Sequence, residues 1–187
     1  DGGVFFERGL PASSWSLTVS RSDGGESLRV TTVPAEAVQG RVRITASDYG
    51  VQEGARSFTI DPHPDGAAIE LGTFEPIDLS RQTNGDMLLL ATVRLDARLS
   101  QAPRLAVRCE GADCKGEVPI AEFETLPVGE WRTLGVPLKC FQTAGAEMGA
   151  ISAPFRLTTS GPARFSLARV ALGSLSDVDV LAGCPTD

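Results

Sequence analysis

Met87 to Asp96, MLLLATVRLD, is the stretch that decides the fold. Met87, Leu89, Ala91, Val93 and Leu95 alternate with Leu88, Leu90, Thr92, Arg94 and Asp96. A period of two residues is that of a strand, whose successive side chains point to opposite faces of a sheet. The first half of the stretch is apolar on both faces and the second half on only one. This pattern predicts a central strand that passes from a covered region into a solvated one. Shorter alternations follow the same rule at Leu28/Val30, Val42/Ile44, Phe58/Ile60, Leu105/Val107, Leu134/Val136/Leu138 and Phe155/Leu157. Between Phe165/Leu167 and Val170/Leu172 the apolar phase slips by one position, which predicts a β-bulge near Ala168.

Helix signals are few. Ile120 to Leu126, bounded by Pro119 and Pro127, has room for one or two turns, and Ala144 to Ile151 for a single turn. With 20 Gly and 12 Pro punctuating many short strands, the sequence predicts an all-β protein. The expected architecture is an antiparallel β-sandwich, two packed sheets of jelly-roll type. Asp61 to Gly66, DPHPDG, reads as a loop because neither Pro62 nor Pro64 can donate to a ladder, and His63 within it reads as an exposed loop residue. There is no internal repeat and no low-complexity linker, so residues 1–187 read as a single domain.

Composition removes several function classes. The formal net charge is −7 and only Lys115 and Lys139 are lysines, a poor match to a nucleic-acid backbone. No apolar run approaches the ~20 residues of a membrane span. His63 is the single histidine, which weakens any Ser-His-Asp or histidine-metal proposal. There is no Gly-x-Ser-x-Gly elbow, no Walker loop and no dinucleotide glycine fingerprint. The 24 acidic residues guarantee some carboxylate pair at glycosidase separation, so a pair carries no information. The chain reads as a non-enzyme. It starts at Asp1 with neither Met nor a basic-then-apolar leader, and reads as a mature protein or a fragment of a longer one.

Cys109, Cys114, Cys140 and Cys184 form an even set, as in the disulfide framework of an exported protein, and allow three pairings. The CEGADC spacing suits a bridge across a loop mouth, leaving Cys140 to tie the C-terminal tail through Cys184. Free buried thiols and four-cysteine zinc ligation are the alternatives; zinc knuckles usually come as two short pairs, and here there is one.

A binding site for sugars needs a flat aromatic face together with hydroxyl-recognising carboxylates, amides or Arg. Aromatic residues make up 6% of the chain. Trp131 opens WRTLGVPL as either a sugar platform or a strand-end core residue. Trp15, in SSWSLTV, reads as core or as a cover on a sheet edge. Tyr49, in SDYGVQEG, stands beside Asp48, Gln52 and Glu53, a set suited to hydroxyl recognition on a loop. The bland account of the same segment is a tight turn with Gly50 at positive φ.

Several segments, taken in order, carry a resemblance. They are GGVFFERGLPASSWSL, ASDYGVQEGARSFTI, IDLSRQTNGDMLLLATVRLD, LAVRCEGADCKGEV, GEWRTLGVPLKCF and GAEMGAISAPFRLTTSG. Together they resemble the C-terminal, galactose-binding-like β-sandwich domain of bacterial exo-β-glucanases of glycoside hydrolase family 3, from Gly2 to about Leu172. Phe58 stands where that pattern often has Trp. In such enzymes the catalytic residues lie in other domains, so the resemblance implies an accessory domain of a periplasmic or secreted β-glucosidase or exo-β-glucanase. Its implied partners are β-glucan or an oligosaccharide and the catalytic domains of the parent chain, with Asp48, Tyr49, Gln52, Glu53 and Trp131 as the candidate binding residues. The alternatives are a structural domain that stabilises the catalytic domains or a dimer without sugar affinity, and a free-standing lectin-like module. No cofactor is required, although domains of this kind often carry a structural calcium; Glu7, Asp86, Asp177 and Asp179 are its candidate ligands.

Overall fold

The computed structural model describes residues 3–62 and 66–185, and the backbone alone at residues 51–53. The described strands form two sheets. The larger comprises β1 (Val4–Glu7), β2 (Leu10–Pro11), β5 (Glu36–Gln39), β6 (Val42–Tyr49), β7 (Val51–Ile60), β9 (Leu88–Leu95), β12 (Trp131–Pro137), β14 (Ala163–Gly173) and β15 (Val180–Leu181). The smaller comprises β3 (Ser16–Ser20), β4 (Leu28–Val30), β8 (Ala67–Gly72), β10 (Arg104–Cys109), β11 (Lys115–Pro119) and β13 (Ile151–Thr159). The strand order is β15-β12-β9-β14-β7-β6-β5 in the larger sheet, with the β1–β2 pair alongside β14, and β11-β10-β13-β8-β3-β4 in the smaller. The pairing is antiparallel except between β12 and β15. No described helix is long and apolar enough to cross a membrane.

The alternation read from the sequence becomes the core. Leu89, Ala91, Val93 and Leu95 of β9 point inward with Phe165 and Leu167 of β14, Phe58 and Ile60 of β7 and Ile44 of β6. Leu17, Val19, Ile69, Leu71, Leu105, Val107, Phe155 and Leu157 meet them from the smaller sheet. Phe58 fills a core position and stacks on Phe165, with ring centroids 5.3 Å apart. Trp15 packs on the same core at its edge, its ring 4.7 Å from that of Phe5.

The two halves of β9 differ as expected. Leu88 and Leu90, on its outer face, are buried, because the segment that follows β14 passes over them. A Cβ added at Gly135 would meet both Val178 and, at 3.1 Å, Leu88. Further along the same face Thr92 is still buried, and Arg94 is the first residue to be partly exposed. The bulge also lies where the phase slip put it: the β14–β9 register shifts between Leu167 and Arg169, with Ala168 buried between them.

Both disulfides match the spacing argument, Cys109–Cys114 closing the β10–β11 turn and Cys140–Cys184 fastening the C-terminal tail. The helices meet expectation in part. Ile120–Leu126 contains the expected turn at Glu122–Thr125 (α2), whereas Ala144–Ile151 contains no helix. The helix lies just before it: β12 ends at Pro137, and Leu138, expected to continue the strand, opens α3 (Leu138–Thr143). Leu138, Cys140 and Phe141 are its buried residues, and the tie to Cys184 fixes it in place. A further turn, α1 (Ser80–Asn84), lacked any apolar stripe by which to be foreseen. Asp61, Pro62 and Gly66 belong to no strand, as predicted, and His63 lies outside the described residues.

Candidate functional site

The site is produced by a change of partner along β14. β7 pairs with β14 from Ile60 to Arg56, opposite Ala163 to Leu167. Beyond the bulge, from Arg169 onward, β1 takes the place beside β14. The distal half of the β6–β7 hairpin is thereby displaced from the sheet and becomes an arm. Its strands pair with each other up to Tyr49 and Val51, with Gly50 at φ 64° making the turn that this positive φ permits.

The arm folds over the outer face of the larger sheet. β6 and β12 are four strand positions apart, about 19 Å in a flat sheet, yet the Tyr49 and Trp131 rings lie 4.7 Å apart in an edge-on arrangement of 74°. Tyr49 is 43% exposed and Trp131 is half-buried. The Arg94 guanidinium lies 5.1 Å from the centre of the Trp131 ring, within cation–π range.

Beneath the rings is a polar network. Arg94 Nε donates to Asp96 Oδ1 at 2.7 Å, and Arg94 Nη2 donates to Ser47 Oγ at 3.2 Å and Ser166 Oγ at 3.1 Å. Ser166 Oγ donates to Asp96 Oδ2 at 2.7 Å and shares a 2.6 Å hydrogen bond with Ser57 Oγ. The Arg94 and Asp96 side chains are 26% and 20% exposed, and Ser166 is fully buried. Alongside, Thr92 and Thr133 join their hydroxyls at 3.0 Å. Arg94 thus joins the sheet, the arm and the Trp131 ring. Its fork donates to three residues, and the Asp96 carboxylate balances its charge at close range.

Of the residues singled out from the sequence, the structure joins Tyr49 to Trp131. Asp48 is exposed on the arm, where the β6–β7 register slips between Ser47 and Tyr49. Gln52 and Glu53 lie on the returning strand of the same arm, with side chains outside the described atoms. The residues the sequence reading missed are Arg94, Asp96, Ser166, Ser57 and Ser47. A signal for two of them was present: Arg94 and Asp96 are charged residues at outward positions of an otherwise buried central strand.

The carboxylates considered for calcium do not converge. Glu7 faces Arg169 at 3.7 Å and Asp86 pairs with Lys139 at 2.6 Å. Asp177 accepts the Ser174 backbone N–H, and Asp179 accepts that of Thr133 at 2.8 Å. Among the described residues no three acidic, His or Cys side chains are grouped where they could hold a metal ion.

Residues 13–172 match the family described as Galactose-binding domain-like. The chain belongs to that family. No curated protein matches it in sequence. Among solved structures it is similar to the extra C-terminal domain (X) of an exo-1,3/1,4-β-glucanase from a Pseudoalteromonas species, at 22% identity and a TM-score of 0.76, covering 98% of this chain and 99% of that one. Against the whole glucanase of that organism the TM-score is 0.74 at 22% identity, with 99% of this chain matched to 22% of the enzyme. A family 11 carbohydrate-binding module from Clostridium thermocellum, in complex with a β-1,3-1,4-mixed-linked tetrasaccharide, matches over 97% of each chain at 7% identity and a TM-score of 0.52. At these identities the likenesses establish the galactose-binding-like sandwich and nothing finer.

Proposed function

We propose that this chain is a non-catalytic accessory domain of a β-glucan-degrading enzyme of glycoside hydrolase family 3, and that it binds or guides β-glucan through the face beneath the arm. The observation that carries this reading is the Tyr49–Trp131 pair set over Arg94. It combines a half-exposed aromatic surface with a guanidinium fixed through its Nε and Nη2, which leaves Nη1 as the donor toward a sugar, the pairing by which a sugar's C–H face and its hydroxyls are both met. The fold likeness to a glucanase accessory domain and to a glucan-bound module supports the same substrate class. The carboxylate at this face, Asp96, has both oxygens engaged by Arg94 and Ser166, an arrangement suited to holding a site in shape rather than to proton transfer. The partners are then β-glucan and the catalytic domains of the parent enzyme, and the two disulfides support a periplasmic or secreted location.

Affinity electrophoresis of the protein in gels containing laminarin, mixed-linkage β-glucan, a cellulose derivative or xylan tests this. Retardation by a β-glucan is expected. Trp131→Ala and Tyr49→Ala should each weaken it about tenfold or more, the loss of roughly 1.4 kcal/mol of ring contact. Free migration in every gel would overturn sugar binding and leave a structural role, in which the ring pair serves to hold the arm against the sheet.

A further inference from the structure

The polar groups of this face extend well beyond the aromatic pair, and they are in register. Trp131 stands opposite Arg94, Arg94 opposite Ser166, Ser166 opposite Ser57, and Ser57 opposite Thr45. Residues directly opposed in antiparallel strands project to the same side. Their strand neighbours Val93, Phe165, Phe58 and Ile44 are core residues, so this row faces away from the core. It crosses five strands from β12 to β6, about 19 Å along the sheet at the usual strand spacing. Ser166 is its buried floor, while Trp131, Arg94, Ser57 and Thr45 remain partly exposed.

A second row runs parallel to it on the side away from the arm. There Arg43 stands opposite Thr59, and Thr59 opposite Arg164, with both arginines exposed. Neither end of the first row is walled off. At the level of Trp131, β12 is an edge strand, because β15 pairs only with Leu134 and Gly135. At the other end, Thr45 faces the exposed Glu36 on the edge strand β5.

We propose that this double row is a track for an extended glucan, which lies across the strands and is held by the interior of its chain rather than by one end. The inference rests on the sugar-binding reading above and adds the length and direction of the ligand. A pocket for a single sugar would need only the aromatic pair and Arg94. Here donors and hydroxyls continue for the length of several pyranose rings and stop only at open edges. The Tyr49–Trp131 pair holds one part of the chain, and Ser57, Thr45, Thr59 and Arg43 hydrogen-bond the rings that follow.

Titration calorimetry of the protein with β-1,3-1,4-glucan oligosaccharides, from disaccharide to hexasaccharide, tests the track. Affinity should climb with length by about tenfold, the worth of one or two net hydrogen bonds, and then level off. Blocking the reducing end of the hexasaccharide should leave its affinity unchanged. The loss caused by Arg43→Ala should grow with chain length, and Thr45→Ala should behave alike, whereas Trp131→Ala should weaken every length. Affinity independent of length, a strict need for a free chain end, or an equal Arg43→Ala loss at all lengths would overturn the track and leave the sugar-binding reading standing. Absence of binding at every length, to polysaccharide as well, would remove both.

Discussion

Arg94 is the residue on which the proposed site depends. A lone cation on a central strand is costly unless its donors are matched, and here Asp96, Ser47 and Ser166 accept from it while Trp131 receives its face. Lysine keeps the charge but replaces the planar fork with a point charge on a flexible stem. Arg94→Lys should therefore free Ser47 from the sheet and deprive Asp96 Oδ1 of its donor, while the buried Ser166 hydroxyl keeps its bonds to Asp96 and Ser57. The expected cost is about 1–3 kcal/mol of stability, the usual penalty for a broken buried polar contact, together with weaker glucan binding. Thermal denaturation and affinity electrophoresis of the same variant would read the two effects; unchanged melting would mean that the network around Arg94 is not structural. At this scale the sequence was partly legible. The polarity of Arg94 and Asp96 was visible, but its meaning was not, since hydroxyl partners such as Ser47, Ser57 and Ser166 are indistinguishable from ordinary surface serines until the strands are aligned.

At the scale of elements, what could be read was whatever has a period. The strand from Leu88 to Leu95 and the bulge at Ala168 both follow from apolar phase, and the bulge has a consequence the phase alone could not give. It marks where β14 changes partner, and so where the hairpin is released as an arm. Short helices fared worse. α3 follows directly on Pro137, so its opening Leu138 read as one more strand position. Its place is set by tertiary contact rather than by local pattern. Gly116 of β11 faces it so closely that a Cβ there would collide with the Phe141 backbone carbonyl, and would lie 3.0 Å from Ala146. Gly116→Ala should therefore cost about 1–3 kcal/mol, as overpacking does, because a carbonyl cannot move aside as a flexible side chain can. Chemical denaturation would measure it. A neutral result would show that β11 and α3 can separate without loss.

The whole molecule joins what the sequence keeps apart. Tyr49 and Trp131 belong to strands whose neighbourhood depends on sheet order, and a period of two residues carries no information on order; their contact was legible only as a question. The cysteines were more legible, because covalent geometry limits which loops can close. Their two bridges should contribute unequally. Cys140–Cys184 closes a separation of 44 residues and Cys109–Cys114 one of 5. In the chain-entropy account, stabilisation grows with the logarithm of the loop, giving about 4 kcal/mol for the first bridge and about 2 kcal/mol for the second. For a chain of this size, replacing Cys140 and Cys184 by Ser should lower the melting temperature by about 10 °C, against about 5 °C for Cys109 and Cys114. The long bridge secures α3 to the C-terminal tail, and the tail carries β15 and the cover over Leu88 at the end of β9 away from Arg94. Glucan affinity below the transition should accordingly survive its removal. If melting temperature and affinity fell together, the tail would be shaping the binding face through β12, whose Trp131 and Gly135 share one strand; equal melting losses from the two bridges would mean that local packing, rather than loop length, sets their contribution.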